Sequence, residues 1–78
     1  MAEIKSLSEL KPGQKGKGVR VGGSGAIHRR ILDMGVVSGA EIEVERVAPL
    51  GDPVEFKLLG YHLSLRKEEA QIVHVEVS

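Results

Sequence analysis

The sequence predicts a mainly β protein: a small, strongly bent antiparallel sheet that closes on itself, with one inserted helix and short helical turns. Three observations carry that expectation. About five short segments alternate with a period of two, one segment repeats its apolar residues at helical spacing, and turn residues recur closely between them. The chain has 78 residues, room for a single domain over 1–78 with a thin core.

The elements follow in order. Ser6-Leu7-Ser8-Glu9-Leu10 reads as one helical turn, with Ser6 and Glu9 at capping-box spacing. Lys11-Pro12-Gly13 ends it, since proline disfavours helix in the residue before it. Residues 16–22 alternate around Val19 and Val21 and read as the first strand. Residues 25–34 read as the helix, with Ser24 as cap, Gly35 as terminator and Ile27, Ile31 and Met34 on one face. Leu32 lies off that stripe, Arg29 and Asp33 face away, and His28 sits at its border.

From residue 40 the period becomes two. Ala40, Ile42 and Val44 share one face and Glu41, Glu43 and Glu45 the other, which describes a half-buried strand. Pro49-Leu50-Gly51-Asp52-Pro53 is a turn by composition. Val54, Phe56 and Leu58 form one further alternating run, with Leu59 on its polar side, and Tyr61, Leu63 and Leu65 form the next after Gly60. Residues 66–71 read as a polar helical turn, and Val73, Val75 and Val77 as a last strand.

Composition excludes several functions. Without cysteine there are no disulfides, thiolate metal sites or cysteine nucleophiles, which fits a reducing compartment. No apolar run approaches a membrane span, and no signal-peptide pattern is present. Lys plus Arg equals Asp plus Glu at 11 each, whereas a dedicated nucleic-acid binder is usually basic. The charge is uneven: residues 1–30 sum to +5 and the rest to −5. Such polarity can steer a partner, but folding the halves together would cancel it.

Each candidate chemistry has a plainer alternative. Gly22-Gly23-Ser24-Gly25 could cradle a phosphate, yet it lacks the Walker A ending and the dinucleotide fingerprint. A glycine-rich turn with a serine cap explains it as well. His62, His74 and Glu76 could bind Fe(II) or another divalent transition metal if the sheet brought them together. The alternative is ordinary, partly exposed histidines. No carboxylate has the shielded pocket that acid–base catalysis needs, so no enzyme is expected. Two aromatics, Phe56 and Tyr61, are too few for base stacking or a proline-ligand groove. An interaction module remains, supported by Leu32 beside Arg29 and His28, by Leu50 at a loop tip and by Leu59.

The residues also resemble a known family. Leu7-Ser8-Glu9-Leu10-Lys11-Pro12-Gly13, His28-Arg29-Arg30-Ile31-Leu32-Asp33-Met34-Gly35, Ala48-Pro49-Leu50-Gly51-Asp52-Pro53 and Leu63-Ser64-Leu65-Arg66-Lys67-Glu68-Glu69-Ala70 occur in that order. Together with Gly39-Ala40-Glu41-Ile42-Glu43-Val44, they resemble the ferrous iron transport protein A (FeoA) family over about residues 4–77. The resemblance implies a five-stranded SH3-like barrel with an inserted helix. It implies a small, non-enzymatic cytoplasmic accessory of a bacterial ferrous iron transporter, docking on the GTPase part of the membrane protein FeoB. The same domain also ends metal-dependent repressors, but no winged-helix portion is present here. The residues expected to dock are His28, Arg29, Arg30, Leu32 and Asp33 on the helix, with Leu50 as a second contact. Leu32 would be the desolvated anchor and Arg29 and Asp33 the orienting rim. A metal-binding regulatory module through His62, His74 and Glu76 is the alternative, and an open barrel edge could pair weakly between copies.

Overall fold

The computed structural model describes residues 3–23 and 25–77. The expected Ser24 cap lies outside them. The chain is mainly β, as predicted. Six strands, β1 (Glu3–Ser6), β2 (Lys15–Val21), β3 (Glu41–Val47), β4 (Val54–Leu58), β5 (Tyr61–Leu65) and β6 (Val73–Val77), form one sheet in the order β1-β6-β2-β3-β4-β5. Every pairing is antiparallel. Helix α1 (Gly25–Asp33) follows β2, helix α2 (Lys67–Gln71) follows β5, and a 3₁₀ turn (Leu7–Glu9) follows β1. The strand β1 was not expected. Its four residues, Glu-Ile-Lys-Ser, merge without a break into the helical turn, so they offer no turn signal to mark a separate element.

The core is built from the inward residues of the alternating strands. Ile42 and Val44 on β3, Val54, Phe56 and Leu58 on β4, and Val73 and Val75 on β6 are buried. Fully burying such a side chain is worth about 1.5–3 kcal/mol relative to leaving it exposed. Leu7 of the 3₁₀ turn and Ile31 of α1 complete the same cluster.

Strand β2 departs from the predicted alternation. Its buried positions are Gly16 and Gly18, Val19 is exposed and Val21 is half-buried. A bulge between Gly18 and Arg20 in the pairing with β6 is the reason. One extra residue reverses the in–out parity beyond it, which local alternation cannot reveal. The buried glycines are also places where no side chain fits. A Cβ on Gly16 would lie 2.8 Å from Val75 Cγ2, and one on Gly18 would collide with the backbone carbonyl of Val37.

The uneven charge is cancelled by folding. Lys15 stands opposite Glu43, and Lys17 opposite Glu41 on one side and Glu76 on the other. Basic residues of the first half thus face acidic residues of the second across neighbouring strands.

The link between β4 and β5 differs in detail from the expectation. Leu59 is a turn residue rather than the last residue of a strand. Leu59 and Gly60 both have positive φ, 53° and 83°, between the paired residues Leu58 and Tyr61. This is the type I′ signature of a two-residue hairpin, a turn that asparagine or glycine usually fills.

Candidate partner-docking site

Helix α1 positions most of the residues expected to dock. It begins at Gly25 and ends where Gly35, at φ 98°, donates its N–H to the Leu32 carbonyl at 2.9 Å. A left-handed glycine closing the last turn is the common terminator. Ile31 is buried, and Leu32, 36% exposed, stands outside the core with Arg29 and Asp33 exposed beside it. The off-stripe placement of Leu32 therefore matches the geometry.

Ile27 does not behave as predicted. It was expected on the buried stripe with Ile31 and Met34, but it is 50% exposed. The first turn of α1 stands over a groove rather than over the barrel interior. Ile27, Gly23 and Arg30 line one side of this groove, and Arg66, Glu68, Glu69 and Ile72 line the other, around a volume of 440 Å³. The groove runs between α1 and α2, with isoleucine from both sides giving it an apolar floor.

An ion pair holds the two sides of the groove together. Glu69, on α2, is buried. Its Oε1 accepts the backbone N–H of Arg66 at 2.9 Å, and its Oε2 pairs with Nη2 of Arg30 on α1. Both carboxylate oxygens are therefore satisfied, the condition under which a buried charge is tolerable. Arg30 consequently works inside the chain, clasping α1 to α2, whatever else it contacts. Sequence reasoning gave no place to Glu69, Arg66 or Ile72. The spacing of Arg66 and Glu69, which repeats that of Ser6 and Glu9, was the available signal.

His28 is likewise engaged. Its Nδ1 lies 3.0 Å from the Gly22 carbonyl. A carbonyl only accepts, so Nδ1 carries the proton and donates. Gly22 in turn donates its N–H to the Ile72 carbonyl at 2.7 Å. Gly22 is thus braced through both its carbonyl and its N–H, and its amide is already bonded within the fold.

Leu50 is 96% exposed at the tip of the 48–53 loop, with φ 72° and ψ 7°. For a residue with a Cβ, this left-handed conformation costs about 1–2 kcal/mol. The Asp52 carboxylate accepts the N–H of Lys67 at 3.1 Å, so the loop is tied to the start of α2. The chain of contacts runs from this loop through α2 and the Arg30 pair to α1.

The residues considered for metal are not brought together. His62 lies on β5 and His74 on β6, with β4, β3 and β2 between them in the sheet. His62 Nδ1 donates to Glu45 at 2.7 Å, while His74 stands opposite Ser6 and Arg20, and Glu76 opposite Ile4 and Lys17. Among the described residues no three His, Cys, Asp or Glu side chains are grouped to hold a metal ion. Nor is any described helix long and apolar enough to cross a membrane.

Comparison with known proteins supports the resemblance seen in the sequence. A curated relative, the Fe(2+) transport protein A/Fe(2+) transporter FeoB fusion protein of Porphyromonas gingivalis, is 46% identical over 71 residues, which is 91% of this chain and 8% of the relative. The solution structure of an FeoA-like protein from Clostridium acetobutylicum matches with a TM-score of 0.87 and 43% identity, covering 99% of this chain and 90% of that one. The crystal structure of Stenotrophomonas maltophilia FeoA complexed with zinc, described as a procaryotic SH3 domain protein, matches with a TM-score of 0.78 and 30% identity over 88% of this chain and 86% of that one. The architecture is therefore the expected SH3-like barrel with its inserted helix, with six strands in place of five. The FeoA domain family matches residues 5–77, and with these relatives it establishes that the chain belongs to the FeoA family.

Proposed function

We propose that the protein is a non-enzymatic cytoplasmic adaptor that docks on the GTPase part of a FeoB ferrous iron transporter and supports or regulates Fe(II) uptake. The observation that carries this reading is the Porphyromonas gingivalis relative, in which a similar domain is joined to FeoB in one chain. Covalent fusion of two proteins raises the local concentration of each for the other, as expected of functional partners. The surface chemistry is compatible. Leu32 is an exposed apolar anchor flanked by Arg29 and Asp33, and the groove beside it has an apolar floor and a charged rim. Leu50, on the loop tied to α2, is a second anchor.

The test is an NMR titration of labelled protein with the purified cytoplasmic domain of its transporter, with and without a GTP analogue. Shifts concentrated on residues 28–34 support the reading, and dependence on nucleotide assigns the role to GTPase regulation. An absence of shifts in both conditions removes the GTPase part as the docking partner.

A second reading, binding of a divalent transition metal, has the zinc complex of the Stenotrophomonas maltophilia relative in its favour. His74 and Glu76 share the outward face of β6, but His62 lies on β5, and among the described residues no three such side chains are grouped to hold an ion. Calorimetric titration with Zn(II) of the wild type and of H62A and H74A decides it. Equal heats in all three proteins remove these residues as ligands.

A further inference from the structure

The sheet ends in two edges of opposite character. Strand β1 alternates charges, with Glu3 and Lys5 paired at 3.7 Å. Strand β5 reads Tyr-His-Leu-Ser-Leu, with no Lys, Arg, Asp, Glu or Pro, and its pairing with β4 shows no bulge. Charges, proline and bulges are the usual devices that keep a sheet edge from pairing with another chain. Strand β5 has none of them.

The hairpin geometry says which main-chain groups face outward. The closing pair of a two-residue hairpin, Leu58 and Tyr61, is hydrogen-bonded, so the pairs Phe56–Leu63 and Val54–Leu65 are too. The intervening residues His62 and Ser64 therefore turn their N–H and C=O groups away from β4. Both residues are exposed, and among the described residues no backbone partner outside the hairpin engages either.

This edge is complementary to itself. A two-fold axis through Leu63 sets His62 opposite Ser64 of a second copy, and Ser64 opposite His62, in hydrogen-bonded pairs. Leu63 then meets Leu63 in the close, non-hydrogen-bonded position between them. Tyr61 comes opposite Leu65, whose side chain stays in its own core, so the main-chain pairs and the Leu63 contact carry the pairing, and no like charges are brought face to face. We propose that β5 is a homodimer edge, two copies pairing antiparallel through the free main-chain groups of His62 and Ser64. The contact is short and below the size of a standard protein interface, so the dimer is weak and concentration-dependent. Pairing β5 with β1 of another copy is disfavoured by the charges on β1, and would grow as an open chain instead of closing.

Sedimentation equilibrium over a concentration series, with amide hydrogen exchange on the same samples, tests the proposal. The wild type is expected to pass from monomer to dimer and no further. His62 and Ser64 amides should gain protection as concentration rises, while the Leu63 amide, bonded to β4 throughout, serves as the internal reference. Ser64→Pro removes an outward N–H without touching the β4 ladder, the position where an edge strand accepts proline. It should weaken the dimer about tenfold or more, on the order of one lost hydrogen bond in each copy, two per dimer, plus the blocked register. If that variant fails to fold, Ser64→Lys gives the same reading, since lysine there faces Glu55 on β4 and guards the edge. A wild type that stays monomeric throughout, growth beyond a dimer, or a dimer that persists in a folded Ser64→Pro or Ser64→Lys variant would each overturn the proposal.

Discussion

The molecule uses the same local device twice, in two different surroundings. In the 3₁₀ turn the Ser6 N–H donates to Glu9 at 2.9 Å, and at α2 the Arg66 N–H donates to Glu69 at 2.9 Å. Each glutamate reaches back three residues to satisfy an orphan donor at the start of a helical segment. Glu9 is exposed and the contact ends there. Glu69 is buried, and its second oxygen takes the Arg30 guanidinium from another element. The lesson is that a local cap becomes a tertiary joint when its free oxygen is buried and a sequence-distant cation is supplied.

Four predictions sharpen this contrast, from the largest effect on stability to the smallest. Arg30→Ala leaves the Glu69 carboxylate buried with only its backbone donor. Breaking a fully buried pair costs 3–5 kcal/mol; the Arg30 end is largely solvated, so about 2–3 kcal/mol is expected in urea denaturation. An equal effect from Glu9→Ala would abolish the distinction between the two sites. Glu9→Ala itself should cost clearly less than Arg30→Ala in the same measurement, as the loss of an exposed cap does.

The third prediction concerns pH. The hydrogen bond from the Ser6 backbone holds the Glu9 carboxyl below the usual glutamate range. A carboxylate whose pKa is depressed by folding stabilises the fold fully above its unfolded value, and that contribution fades as pH falls through the lowered value. Carbon-detected NMR titration of the Glu9 carboxyl should therefore give a midpoint below that of glutamate in an unstructured peptide. Glu9→Gln should flatten the acid limb of the stability profile. The fourth prediction is a change with almost no effect on stability. Leu32→Arg should leave the unfolding free energy within about 0.5 kcal/mol of wild type, as for a surface position, and abolish the transporter-domain shifts. Unfolding by Leu32→Arg would make Leu32 core and overturn its assignment to the docking face.

The same contrast explains what could be read from the sequence. Ser6 and Glu9 were legible because a capping box is a spacing of three within one segment. The α1 limits, the two faces of β3 and the burial of Phe56 were legible for the same reason: helical and strand periods are local. Arg30 and Glu69 are distant in sequence, and no periodicity connects them, so Arg30 read only as one of the docking residues on the helix. The bulge after Gly18 hid the outward turn of Val19, because one inserted residue leaves the composition of the run unchanged. Ile27 was misplaced because a helical stripe says which residues share a side. It does not say how far the packed partner extends beneath them. The residues expected to dock, on α1 and at Leu50, belong to elements joined by contacts, whereas His62 and His74, considered for metal, lie on strands that topology keeps apart.

The close approach at Gly18 has a consequence for how this protein can change over time. Its N–H donates to the Ala40 carbonyl and its carbonyl accepts from the Gly39 N–H, each at 2.7 Å. The strand runs on to Val21, the chain makes the α1 excursion, and it is fastened again beside Gly18. The excursion therefore stands on a closed base, with Ile31 and Val36 plugged into the core. Its outward helix surface and charge can be exchanged while these inward residues and the base keep the barrel in register. Recognition can then diverge among relatives at a rate set by their partners, and the glycine at the base is the position that such divergence must leave alone.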